Sequence, residues 1–208
     1  MKMKKIAALG VVIILILSLL TACGGNNSGG GSADSNTGNA AKATKGVIKA
    51  SALISIAEAA ALLGQDMEDA EITERHFIDE SHYMSKDYHF DIALWQEALY
   101  DANSDFEKGL LKNGWASYMR EMEKAFSSNY YSQNIVELGG IDGASYLQEG
   151  VGMGQWMLHI FYGDYYISLN LNNTSLSHAD SEDEISWKQE KLKNAGNLAV
   201  ENLKAILG

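Results

Sequence analysis

The densest group of side chains able to do chemistry lies between residues 76 and 89: His76, His82 and His89, with Asp79 and Glu80 between the first two. Three or four such donors converging on one point would hold zinc or a similar ion. Their spacing does not enforce convergence. His82 and His89 flank the turn-like Ser85-Lys86-Asp87 and could pair across strands, with Tyr83 and Phe90 then facing the core. Surface histidines are the favoured reading, and no metal or other cofactor is expected. Gly150-Val151-Gly152-Met153-Gly154 has the composition of a phosphate-cradling loop, but that chemistry needs a helix N-terminus directly after the glycines. Gln155 to Phe161 reads as a strand instead, so a hairpin loop is expected. The acidic run Asp180 to Glu184 fits the first turn of a helix, where the dipole favours negative charge, better than a calcium site. No Gly-x-Ser-x-Gly elbow is present, and the chain has one cysteine, Cys23. No catalytic constellation assembles, and an enzyme is not expected.

Cys23 has its own context. Lys2, Lys4 and Lys5 precede an apolar run from Ile6 to Leu20, interrupted only by Gly10 and Ser18, which is the layout of an export signal. Fifteen residues are too few for a permanent span, which needs about 20 residues to cross the hydrocarbon. Leu20-Thr21-Ala22-Cys23 resembles a lipobox, in which small residues precede a cysteine whose thiol receives a diacylglyceryl group. That resemblance implies cleavage after residue 22, lipidation of Cys23, and a surface lipoprotein held on the extracytoplasmic face of the cell membrane. Two acyl chains give stable anchoring where one is marginal. With its only cysteine lipidated, the domain has no intramolecular disulfide.

Residues 24–46 contain no Val, Ile, Leu, Met or aromatic residue, so they cannot bury enough surface to offset the entropy of ordering. Residues 23–46 are thus expected to be a lipidated tether, with a coil reach of roughly 25 Å. Removing residues 1–22 takes three lysines from the sixteen basic residues and leaves 13 Lys and Arg against 27 Asp and Glu, a net charge near −14. Nucleic acid is excluded as a partner, because phosphate backbones demand clustered cations. The same charge repels anionic lipid, so the partners expected are the membrane through the anchor and an envelope ligand or protein.

Residues 47–208 suffice for one domain with a sizeable core. Ser55-Ile56-Ala57-Glu58 fits a capping box and Gly64 a left-handed stop, which predicts a first helix to Leu63. Met67 to Thr73 is weakly strand-like, and Tyr88, Phe90, Ile92 and Leu94 alternate with His89, Asp91 and Ala93, the pattern of a half-buried strand with a hairpin partner before the turn. Apolar residues between Asn103 and Ser127 recur at three and four, predicting helix broken near Gly114. Four more strands are expected at Ile135 to Leu138, Ala144 to Gln148, Gln155 to Phe161 and Tyr165 to Leu171, with a tight turn at Tyr162-Gly163-Asp164. Ser181 to Glu184 fits a second capping box opening an amphipathic C-terminal helix. The class is α+β: an antiparallel sheet with helices packed on one face. Ile78-Asp79 with His82-Tyr83, against Ile141-Asp142 with Ser145-Tyr146, suggests two repeated halves.

Ala61-Leu62-Leu63-Gly64, Gly140 to Tyr146, the hairpin Met157 to Leu171, and Asn197 to Leu207 together resemble a loose group of Gram-positive lipoproteins. Their fold is similar to extracellular sensor modules of receptor-type bacterial kinases. The paired cysteines of many members are absent here, and no functional residue carries over. The lipid anchor, the tether and the lack of an assembled catalytic constellation lead to the expectation of a noncatalytic binding or sensing module; an envelope-acting enzyme and an accessory subunit of a transporter or kinase are the alternatives. Trp95, Trp115, Trp156 and Trp187, with Tyr130-Tyr131 and Tyr165-Tyr166, could line a ligand groove, although core packing suits most of them.

Overall fold

The computed structural model describes residues 46–70, 78–99, 109, 111–128, 134–150, 154–175 and 180–208, all within the compact unit Ala43–Gly208. Cys23, His76, Tyr130 and Tyr131 lie outside the described residues.

Helix α1 is Ile56–Leu63. Ser55 caps it reciprocally: its Oγ accepts from the Glu58 N–H, and the Glu58 carboxylate accepts from the Ser55 N–H at 2.7 Å. The Ser55 hydroxyl, donating to the same carboxylate at 2.6 Å, and then the Ser55 N–H hold the Glu58 carboxyl below its ordinary range. Gly64, at φ 70°, takes the left-handed conformation that lets its N–H return to Ala60 O. Strands follow: β1 (Glu68–Asp69), β2 (Ile78–Met84) and β3 (Tyr88–Gln96). Helix α2 is Trp115–Ser127 and begins at Gly114, at φ 89°. The second run of strands is β4 (Ile135–Glu137), β5 (Ala144–Glu149), β6 (Trp156–Tyr162) and β7 (Tyr165–Asn173). Helix α3, Glu182–Leu207, opens on a second reciprocal capping box between Ser181 and Glu184.

The strands form one antiparallel sheet in the order β1-β2-β3-β7-β6-β5-β4, so two meanders join edge to edge through β3 and β7. Pairing runs from Tyr88↔Asn173 to Gln96↔Tyr165, and this register fixes which side chains share a face. Phe90, Ile92 and Leu94 stand opposite Leu171, Leu169 and Ile167, which stand opposite Trp156, Leu158 and Ile160. This first face is dry. Helices α1 and α3 cover it through Ala59, Leu63, Leu192, Ala195, Ala199, Val200 and Leu203. Gly196 allows α3 to come close, since a Cβ there would lie 2.7 Å from Leu158 Cδ2 and 2.9 Å from Ile141 Cδ1.

The α+β class and the antiparallel sheet agree with the sequence expectation. The placing of helices does not: α2 lies on the opposite face, where Trp115, Met119 and Phe126 pack on Tyr146, Phe161 and Tyr166. Periodicity tells that a helix has an apolar stripe, not which sheet face receives it. The matched segments that suggested two repeated halves also occupy different places. Ile78 stands inside β2 opposite Trp95, whereas Ile141 precedes β5 and joins the first-face core; Tyr83 and Tyr146 point to opposite faces. Of the expected helix between Asn103 and Ser127, the part after Gly114 is α2 and residues 111–113 form a turn before it, while residues 103–108 and 110 lie outside the described residues.

The chain joins the sheet at a fixed point. Ile48 N–H donates to Gln96 Oε1 at 2.8 Å and Gln96 Nε2 returns to Ile48 O at 2.7 Å, while Asp79 accepts from the Ala50 N–H and Lys49 Nζ. At the other end of the sheet a buried ion pair ties three elements together. Lys188 of α3, fully buried, donates to both Asp180 oxygens at 2.8 Å and to Gly154 O at 2.7 Å, and Asn173 Nδ2 donates to Asp180 Oδ1. Lys188→Met is expected to cost about 3–5 kcal/mol, because it strands a buried carboxylate, and Lys188→Met with Asp180→Leu should recover much of that. Urea midpoints of the two variants check this; equal losses would show that the pair is not the source.

Candidate functional site

The second sheet face changes character along the strands, and the register lets it be read row by row. At the end where β3 finishes, Ile78, Trp95, Tyr166, Phe161 and Ala144 line up across five strands. These lie in or against the cluster under α2, apart from Ile78. The Trp95 and Tyr166 rings stack at 4.4 Å and those of Tyr166 and Phe161 at 4.8 Å. Trp115 Nε1 donates to Asp164 O at 2.7 Å, which fastens the start of α2 to the β6–β7 turn.

One row further stand Glu80, Ala93, Ser168, His159 and Tyr146. His159, 4% exposed, lies against the Phe126 ring at 4.2 Å. Its partners decide its tautomer. Gln148 Oε1 can only accept, so Nε2 at 2.8 Å carries the proton, and Nδ1 accepts from the Tyr166 hydroxyl at 2.7 Å. Burial holds the imidazole down at a pKa of about 3 and raises the Tyr166 hydroxyl above its ordinary value. Both groups are therefore neutral structural members of the aromatic layer.

The next row is the candidate site: His82, Asp91 and Asn170 on β2, β3 and β7, beside Met157 of β6, and Gln155, the residue before β6, reaches it by a hydrogen bond. Side-chain hydrogen bonds link the four polar residues. His82 Nδ1 lies 2.8 Å from Asp91 Oδ1, Asn170 Nδ2 donates to Asp91 Oδ2 at 3.3 Å, and Gln155 Nε2 donates to Asn170 Oδ1 at 3.4 Å. The His82 and Asp91 side chains retain 22% and 23% exposure, so the row is half-buried, and the His82 Nε2 atom itself is buried. Met84, His89 and Asn172 form the last row. Asn172 Oδ1 is buried and has no hydrogen-bond partner.

This geometry sorts the histidine group of the sequence. His82, His89 and Glu80 do share one face, in three successive rows, while Tyr83 and Phe90 pair directly on the core face as the alternation implied. Asp79 points to the other face and holds the chain at Lys49 and Ala50. His76 lies outside the described residues, and among those described no three His, Cys, Asp or Glu side chains gather as a metal site. Of the glycine run, residues 151–153 lie outside the described residues; on either side of it β5 and β6 pair antiparallel, Gly150 N–H donates to Gln155 O, and a strand rather than a helix follows. Asp180 is the surprise of the acidic run: it precedes the cap and faces Lys188 rather than solvent. Among the tryptophans, Trp115 and Trp156 are buried, and Trp95 and Trp187 are half-buried against the two cores. Sequence reasoning missed Asp91, Asn170 and Asn172. The signal was present: the polar residues of a strand whose other face is apolar must stand together on a second, polar face.

The depressed pKa of His159 makes stability depend on acid. The unfolded imidazole binds a proton below about pH 6.5 and the folded one only near 3, so stability is lost as pH falls between those values, by about 1.4 kcal/mol per unit. In His159→Phe that share of the slope should vanish. Urea midpoints between pH 7 and pH 4 report it, and an unchanged slope would show His159 to be charged or exposed.

With the geometry in view, comparison with known proteins adds no family: no family model, curated protein or solved structure matches the chain.

Proposed function

We propose that this chain is a lipid-anchored extracytoplasmic lipoprotein whose globular domain is a noncatalytic binding or sensing module. The single observation behind the anchor is Leu20-Thr21-Ala22-Cys23, placed at the end of a fifteen-residue apolar run and followed by 23 residues without Val, Ile, Leu, Met or an aromatic. Such a leader exports the chain, and such a tether holds a domain off the lipid surface. The polar half of the second sheet face supports the binding role. Polar side chains on a rigid sheet, already oriented by one another, meet a ligand with little further loss of rotamer freedom.

The His82–Asp91 contact favours one other reading, an enzyme acting on envelope material. A carboxylate at Nδ1 orients an imidazole as a general base is oriented. Such a base needs a nucleophile within reach. Ser168 stands in the adjacent row rather than beside the imidazole, His82 Nε2 is buried, and Asp91 is also engaged by Asn170. Binding therefore remains the better account of this row.

Cys23→Ala tests the anchor. Metabolic labelling with an alkyne-bearing fatty acid should be lost, and the protein should no longer fractionate as a processed membrane species. Unchanged labelling with unchanged membrane retention would defeat the proposal.

A further inference from the structure

We infer that Lys188 and Asn173 join in an intramolecular isopeptide bond, with Asp180 carrying protons between them, so that the end of β7 is tied covalently to α3. The site lies on the dry side of the sheet, away from the polar rows.

Its placement is costly without a further use. Ile167, Leu169 and Leu171 belong to the first-face core, and the alternation of β7 carries Asn173 onto that same face, opposite Tyr88 of β3. Asn173 is buried, the Asp180 side chain keeps 3% exposure, and Lys188 is the one buried lysine among the described residues. Three polar groups thus fill a corner where apolar side chains of similar volume would serve stability as well or better. The Tyr88 ring walls this corner, its centroid 5.7 Å from Lys188 Nζ and 4.9 Å from the Trp187 ring. Gly154 closes it with backbone alone. At φ 71°, it has no side chain where a Cβ would lie 2.5 Å from Asn173 Nδ2, 2.7 Å from Asp180 Oδ1 and 3.0 Å from Lys188 Nζ.

Forming an amide needs an amine, an acyl carbon and a group that moves protons between them, held together away from water. Asp180 Oδ1 accepts from both Lys188 Nζ and Asn173 Nδ2 at 2.8 Å, so amine and amide meet on one carboxylate oxygen. Asp180 itself is the poorer electrophile. As the anion of the pair it repels an attacking lone pair, and among its described contacts no second carboxylate stands by to move protons. In the reaction Asp180 takes one proton from Nζ, and the neutral amine attacks Cγ of Asn173. Asp180 hands that proton to Nδ2 and takes a second from Nζ; the Cγ–Nδ2 bond breaks and ammonia leaves. The products are a secondary amide between Nζ and Cγ and a protonated Asp180, with no charge left buried. Nothing is oxidised or reduced, and no further reactant enters. Residues 46–208 hold no cysteine, so no disulfide could make this connection. A cross-linked chain loses the bond in any Lys188 variant, so for it Asp180→Leu restores only what the stranded carboxylate cost.

The full-length protein, purified in detergent, is denatured and digested with a glutamate-specific protease, which cuts after Glu182 and Glu184 and so separates Asn173 from Lys188. Tandem mass spectrometry should find a branched peptide joining the two segments, lighter by about 17 Da, one ammonia, than the linear peptides together. Asn173→Ala should return Lys188 to a linear peptide, and so should Asp180→Asn, which keeps both reacting side chains. Thermal midpoints show which variants fold. Only linear peptides from the wild type would overturn the bond, whether or not the variants fold. A branched peptide persisting in folded Asp180→Asn would overturn the part given to Asp180.

Discussion

The pairing of β3 with β7 is the constraint on which everything else hangs. Nine residue pairs, from Tyr88↔Asn173 to Gln96↔Tyr165, weld a three-stranded meander to a four-stranded one. Side chains alternate along both strands, so this one register puts Phe90, Ile92 and Leu94 beside Leu171, Leu169 and Ile167 and at the same stroke puts Asp91 beside Asn170. A slip of one residue would turn both sets over, exposing the core and burying the polar rows. The dry face and the candidate site are two sides of the same ladder.

The covering helices complete what that ladder begins. Helix α3 needs Gly196 to lie close over β6 and needs Lys188 to hold Asp180 and Gly154 at its opening end, with Asn173 joined through Asp180. A buried ion pair contributes little net stability, because desolvation consumes most of its Coulomb gain. Its effect here is on position: it fixes Gly154, two residues before β6, and the end of β7 against the helix. Helix α2 covers only the aromatic end of the second face. The rows beyond it keep their hydrogen bonds among themselves, which is how polar side chains remain half-buried without large cost.

Much of the architecture was legible in the residues. Both capping boxes, the left-handed Gly64, the hairpin across Ser85-Lys86-Asp87, the turn at Gly163 and five of the strands follow from local chemistry, and local chemistry is what a linear pattern records. Long-range geometry is what it does not record. Nothing near Lys188 in the sequence marks it as a buried partner of Asp180, and nothing in the Trp115 to Ser127 stripe names the face it covers. The candidate site falls between these cases. His82 drew attention by its type, but its partners Asp91 and Asn170 come together only once β2, β3 and β7 are in register. The same register separates Asp79 from His82, two residues that look like neighbours in one dimension.

Native-state amide hydrogen exchange on the intact protein tests most directly whether the β3–β7 ladder unites the sheet. The expected result is that amides of β3, β6 and β7 exchange slowest and with one common free energy, that of whole-domain unfolding, while β1 and β4 exchange faster as edges. Exchange of β2 and β3 as a separate, weaker unit, with β5 to β7 still protected, would contradict it: the two meanders would then be independent, and the shared polar face would have no fixed register to rest on.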